Sequence, residues 1–161
     1  MANLEPLIQS IPVAPLKLAS LEGCRTLADQ VNNYLVSFRH ESPTNVGQAD
    51  SLQGYCADSY LLECECPRFG SGEGKGVLKE SVRGCDLFIM VDVTNYSLTY
   101  RVNGYENHMS PDNHYQDLKR IISAADGKAR RINVIMPFLY EGRQHKRSKR
   151  ESLDCALMLQ E

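Results

Sequence analysis

The residues best suited to chemistry in this chain crowd between positions 143 and 150. Arg143, Lys146, Arg147, Lys149 and Arg150 put five cations into eight residues, in a chain whose formal net charge is -2. A triphosphate suits such a patch. A guanidinium forks two hydrogen bonds onto phosphate oxygens, and the neighbouring Gln144 can donate and accept along a purine edge. On charge patterning alone, however, a basic loop ahead of a helix is more often a solvated face. A second candidate is the loop Pro67 to Gly76 (PRFGSGEGKG), whose four glycines relax the backbone and leave Arg68, Phe69, Glu73 and Lys75 standing on it. Taken by themselves, Phe69 reads as a hydrophobic anchor, Glu73 as a solvated charge and Arg83 as the partner of a carboxylate or helix end. Cys64 and Cys66 face the same way if they lie on a strand. Zinc needs about four ligands, and no second Cys or His pair stands at finger-like spacing, which favours ordinary thiols.

The elements that must carry these residues are legible as hydrophobic patterns. Pro15 to Ser20 predicts a strand, and Leu27, Val31 and Leu35 at fourfold spacing predict a helix reaching Phe38. The polar residues between His40 and Gly54 read as a surface connection. Tyr60 to Glu65 predicts a strand, Val77 to Val82 an extended segment, and the apolar run Asp86 to Val93 a strand covered on both faces. After a polar stretch, Thr94 to Pro111, the positions Tyr115, Leu118, Ile121, Ile122 and Ala125 mark a helix closed by Gly127. Arg131 to Met136 predicts a strand ended by Pro137, and Glu151 to Gln160 a helix with Leu153, Ala156, Leu157 and Gln160 on one side. That order implies an α/β sandwich with a mainly parallel sheet, in which ligands gather at the carboxyl ends of the strands.

Composition narrows the classes. At 161 residues, with 42% hydrophobic and 24% charged content, the chain fits one ordinary globular domain. Near-neutral charge gives no general basic field, so bulk nucleic-acid binding is disfavoured. No apolar run approaches the roughly 20 residues of a membrane span, and the start carries no basic lead-in, giving a soluble, cytoplasmic expectation with no membrane partner. Six cysteines then read as reduced thiols.

Three motifs in order carry a resemblance. Arg68-Phe69-Gly70-Ser71-Gly72-Glu73, then Glu80-Ser81-Val82-Arg83-Gly84-Cys85-Asp86 entering an apolar strand, then Met136-Pro137-Phe138-Leu139-Tyr140 leading to Arg143-Gln144, together resemble the amino-terminal domain of ribose-phosphate diphosphokinases (phosphoribosyl diphosphate synthetases). The likeness spans roughly Leu16 to the end. It implies a three-layer, phosphoribosyltransferase-like α/β sandwich with a protruding β-hairpin, and a homo-oligomer using Mg²⁺, ATP and ribose 5-phosphate. By this resemblance Arg143 and Gln144 contact ATP. Phe69, Ser71 and Glu73 lie on a flag-like loop that reaches a neighbouring subunit's nucleotide, the ring stacking on adenine and Glu73 accepting from its amino group. Ser81 and Arg83 match a regulatory phosphate site. The catalytic and metal-handling residues of the family belong to a second, ribose-phosphate-binding domain absent from these residues. The expectation is therefore one amino-terminal domain over 1–161 of a longer two-domain synthetase, with little or no turnover by itself.

The departures open other readings. His145 stands where the family pattern continues with aspartate, and Ser148 occupies a further acidic position. The loops Pro43 to Cys56 and Tyr96 to Ser110 are longer than the family's minimum, the mark of a divergent branch. A catalytically silent, synthetase-associated regulatory subunit is one alternative, and a generic α/β oligomerisation module is another.

Overall fold

The computed structural model describes residues 12–41 and 53–161. Among them the chain runs through β1 (Leu16–Ser20), a 3-10 turn (Glu22–Cys24), α1 (Arg25–Glu41), β2 (Leu61–Leu62), β3 (Cys64–Glu65), β4 (Val77–Leu78) and β5 (Asp86–Met90). It continues through β6 (Thr99–Val102), β7 (Tyr105–His108), α2 (Pro111–Ala125), β8 (Arg131–Ile135) and α3 (Asp154–Gln160). Strands β2, β1, β5 and β8 form one sheet in that spatial order, every pair parallel. Two antiparallel hairpins, β3 with β4 and β6 with β7, stand apart from it.

Side-chain alternation builds the layers. Ala19, Leu62, Leu87 and Ile89 point to one face and pack with Leu118, Ile121 and Ala125 of α2. Leu18 and Met90 point to the other and meet Cys24 and Ala28, with Val31 and Phe88 at the margin. Leu87, Ile89 and Ile121 are fully buried, and burial of each such side chain is worth about 1.5–3 kcal/mol. Helix, sheet, helix is the sandwich that the apolar periodicity predicts. No helix of the described residues is long and apolar enough to cross a membrane.

Several local expectations are revised. In α1 the buried positions are Ala28 and Asn32 rather than Leu27, which is exposed. Asn32 is tolerated inside because its carboxamide oxygen accepts from the Tyr60 N–H (2.8 Å) and the Ser59 hydroxyl (3.3 Å). The strand expected over Tyr60 to Glu65 splits at Glu63: β2 stays with the sheet, and β3 leaves it to pair with β4. The extended segment expected to reach Val82 pairs only at Val77–Leu78. The connection expected between His40 and Gly54 falls largely on residues 42–52, outside the described residues.

The polar stretch Thr94 to Pro111 is not a plain loop. It contains the β6–β7 hairpin, turned at Asn103 (φ 50°) and Gly104 (φ 85°), the Asn-Gly pair that a tight hairpin favours. Helix α2 begins earlier than its apolar face suggests, because Ser110 accepts from the Asn113 N–H (3.3 Å) and Pro111 occupies the first turn. Helix α3 starts only at Asp154, and it buries Cys155 while Leu157 is more than half exposed. Its inward side is fixed by the Tyr115 hydroxyl donating to the Met158 carbonyl (3.2 Å), which turns Leu157 outward. Strand β8 is an edge on which Val134 and Ile135 are both exposed, so the apolar pattern of Arg131 to Met136 overstates its burial.

Candidate functional site

The carboxyl end of β8 opens into the basic segment, and several bonds shape it. Gly142 donates to the Leu139 carbonyl (3.0 Å) and the Gln144 N–H to the Glu141 carbonyl (2.8 Å), closing two successive turns. The Gln144 side chain donates from Nε2 to the Ser152 carbonyl (2.9 Å), and the Gln144 carbonyl accepts from the N–H of Cys155 (3.3 Å) in α3. Gln144 therefore ties the base of the loop to the first turn of α3, and one face of its carboxamide is already engaged. Arg143 beside it is exposed and makes no ion pair among the described residues. His145 bonds the Gly142 carbonyl through Nδ1 (3.1 Å), and the Ser148 hydroxyl donates to Glu151 (3.1 Å). Both departures from the family pattern thus serve the loop's own fold.

The glycine-rich loop between β3 and β4 folds back on itself. Phe69 donates to the Glu73 carbonyl (2.7 Å), Gly72 to the Phe69 carbonyl (2.9 Å), and Arg68 faces Gly74 across an antiparallel bridge. Phe69 is 54% exposed, which makes it a poor anchor for the loop and leaves it open to solvent. The Ser71 hydroxyl donates to the Glu73 carboxylate (2.7 Å), holding it at the tip. No hydrogen bond or ion pair of the described residues joins this tip to Arg143 or Gln144.

Ser81 and Arg83 lie elsewhere. They precede β5, at the amino end of the parallel sheet, whereas Arg143 and Gln144 follow the carboxyl end of β8. Five residues of strand, about 16 Å, separate the two ends. The Ser81 hydroxyl accepts from the Arg83 N–H (3.3 Å), and both side chains are exposed.

One charged cluster is invisible to sequence spacing. Arg68 donates two hydrogen bonds to Asp117 (2.6 and 2.8 Å), and Arg120 adds a third (2.6 Å). The Asp117 side chain is 6% exposed and that of Arg68 10%. Paired, forked geometry is what makes such a buried carboxylate tolerable. Arg68 belongs to the glycine-rich loop and Asp117 to α2, 49 residues apart, which is why no local pattern announces the pair. A polar cavity of about 110 Å³ beside it is lined by Arg25, Arg68, His114 and Asp117, with the thiols of Cys64 and Cys66. Burial pushes those thiols up to about 11 and about 12 respectively. No group of three His, Cys, Asp or Glu side chains among the described residues is placed to hold a metal ion.

The chain is similar to known proteins over most of its length. It is 30% identical over 145 residues to the ribose-phosphate pyrophosphokinases of Corynebacterium ammoniagenes and Bacillus cereus, covering 89% of this chain and 34% of each relative. The chain therefore spans about a third of the length of the curated relatives it matches. The crystal structure of phosphoribosylpyrophosphate synthetase from Mycobacterium smegmatis shares the fold, with a TM-score of 0.55 at 22% identity over 91% of this chain and 39% of that one. A family model described as the N-terminal domain of ribose phosphate pyrophosphokinase matches residues 16–161. Because that match runs from β1 through α3, the chain belongs to the family of N-terminal domains of ribose phosphate pyrophosphokinase.

Proposed function

We propose that this chain is the ATP-handling domain of a ribose-phosphate diphosphokinase, which transfers the β,γ-diphosphoryl group of Mg-ATP to the 1-hydroxyl of ribose 5-phosphate. The observation that carries the reading is an exposed Arg143, without an ion pair among the described residues, on a loop braced by Gln144 at the carboxyl end of the last parallel strand. Loops at that end of an open parallel sheet are the usual ligand position. A preformed loop costs less entropy on binding than a slack one.

Arg143 would fork onto phosphate oxygens, and Gln144 would present its remaining carboxamide face to the purine. The exposed Phe69 ring would stack on the adenine held by a neighbouring copy, with Glu73, steadied by Ser71, accepting from the amino group. That contact requires a homo-oligomer. Magnesium would arrive chelated to the triphosphate as part of the substrate. Ser81 and Arg83, at the other end of the sheet, suit a separate regulatory phosphate. In-line attack on the β-phosphorus needs charge neutralisation and alignment with ribose 5-phosphate, and groups outside this domain would supply those.

Calorimetry with Mg-ATP on the full-length protein tests the reading. Arg143→Ala is expected to weaken binding about tenfold or more, the loss of a charge-assisted pair. Equal affinity in both proteins would remove Arg143 from the site. A silent regulatory role is the second reading, favoured by the inward bonding of His145 and Ser148. Release of AMP dependent on ribose 5-phosphate by the full-length protein excludes it.

A further inference from the structure

The β6–β7 hairpin and the glycine-rich loop touch along a single face. Residues directly opposite in an antiparallel pair share a side, so Tyr100 with Asn107 and Val102 with Tyr105 form one face of the hairpin. That face looks onto the loop tip across an open groove of about 690 Å³. At its floor, a Cβ at Gly72 (φ +91°) would come within 3.0 Å of Val102 Cγ2, so Gly72 already lies in van der Waals contact with the hairpin. Below the tip, the Arg68 guanidinium sits 5.3 Å from the Tyr100 ring centroid while its forked end holds Asp117. The tip is therefore gripped from two sides: by α2 through the Arg68–Asp117 pair, and by the hairpin through Tyr100 and Val102.

A two-stranded hairpin is marginal by itself in water; on the face turned to the loop, Tyr100 and Val102 are half-buried while Tyr105 and Asn107 stay exposed, so β6 makes the contact with the loop tip. We infer that the β6–β7 hairpin fixes the direction in which the Phe69–Glu73 tip projects, making Tyr100 and Val102 positioning residues for the nucleotide contact of Phe69 and Glu73. The nucleotide part of this inference rests on the function proposed above; the brace itself does not. A free glycine-rich loop samples many directions, so holding it in one lowers the ordering cost when the tip meets its partner.

The test uses the full-length protein as wild type, Tyr100→Ala, Tyr100→Phe and Val102→Ala, with two independent readouts. Hydrogen exchange of the Phe69 and Gly72 amides reports the brace without any nucleotide, and calorimetry with Mg-ATP reports the contact. Tyr100→Ala and Val102→Ala are expected to speed exchange of both amides and to weaken Mg-ATP binding, each about five- to tenfold. Amides of β1 and β5 should stay protected, and Tyr100→Phe, which keeps the ring under Arg68, should behave as wild type. Unchanged exchange in both alanine variants overturns the brace. Faster exchange with unchanged Mg-ATP affinity upholds the brace and overturns the nucleotide role of the tip. Val102→Ala keeps the test decisive if Tyr100→Ala does not fold.

Discussion

The rings of Tyr115 and Tyr140 stack with centroids 4.4 Å apart and planes 9° from parallel. Tyr115 belongs to α2 and Tyr140 to the segment after β8, so the pair clamps the root of the Arg143 loop onto a core helix. Each hydroxyl is also committed. Tyr140 donates to Asp112 (2.6 Å), and the single Tyr115 proton is shared between the Met158 carbonyl (3.2 Å) and the Glu161 carboxylate (3.1 Å). Aromatic pairs contribute about 0.5–1.5 kcal/mol beyond the area they bury. Much of the loop's placement therefore comes from two phenols and not from its charges.

The clamp has a pH signature. Burial, then the hydrogen bond to Asp112, raises the Tyr140 phenol well above the ordinary value, and burial with Glu161 raises Tyr115. A group that holds its proton more tightly when folded contributes stability below its unfolded pKa, near 10, and loses it as pH rises toward the folded value. At pH 8, Tyr140→Phe should be less stable than wild type by about 0.5–1.5 kcal/mol, the net worth of one hydrogen bond. Above pH 10 the wild type should lose this advantage. Urea unfolding of both proteins at pH 8, 10 and 11 checks the crossover, and a constant gap would refute it.

The thiols near the Arg68–Asp117 pair should be inert. With burial holding Cys64 at about 11 and Cys66 at about 12, neither carries meaningful thiolate at pH 8, and thiolate is the reactive form. Cys56 and Cys85, partly buried like Cys66 but away from the Arg68–Asp117 pair, should label first with an aromatic disulfide reagent. Peptide mapping after brief labelling of the native protein is expected to find Cys64 and Cys66 unmodified, and rapid modification of either would contradict the burial.

The sequence reveals those parts of the fold where one surface is dry. Leu87 and Ile89 are fully buried in β5, and Leu118 and Ile121 in α2, so their spacing records the face they cover. The β6–β7 hairpin escaped that reading because its residues are mostly exposed and polar, although Asn103-Gly104 is a local turn signal that needs no burial. The phase of the Leu153 helix is hidden for a related reason: its backbone donates to the Gln144 carbonyl at Cys155 and accepts from the Tyr115 hydroxyl at Met158, and no apolar stripe records those bonds. At the site, charge density and motif order lead to Arg143 and Phe69. Nothing in the spacing of Arg68 and Asp117, or of Tyr115 and Tyr140, predicts that they meet, because those contacts exist only once the strands have assembled.

Two glycines of one loop should respond in opposite ways to the same substitution. A Cβ at Gly76 would overlap the backbone carbonyl of Arg120 in α2, and a helix carbonyl cannot rotate aside as a side chain can. Gly70, in the same loop, has open space where its Cβ would go, and neither residue has a left-handed φ that would penalise alanine. Gly76→Ala must therefore push β4 and the loop base off α2, straining the Arg68–Asp117 pair as it does so, at a cost of about 1–3 kcal/mol. Gly70→Ala is expected to stay within about 0.5 kcal/mol of wild type. Denaturant unfolding of the two variants decides whether the loop is pressed on α2 as described: equal midpoints would mean that the close approach at Gly76 is absent in solution.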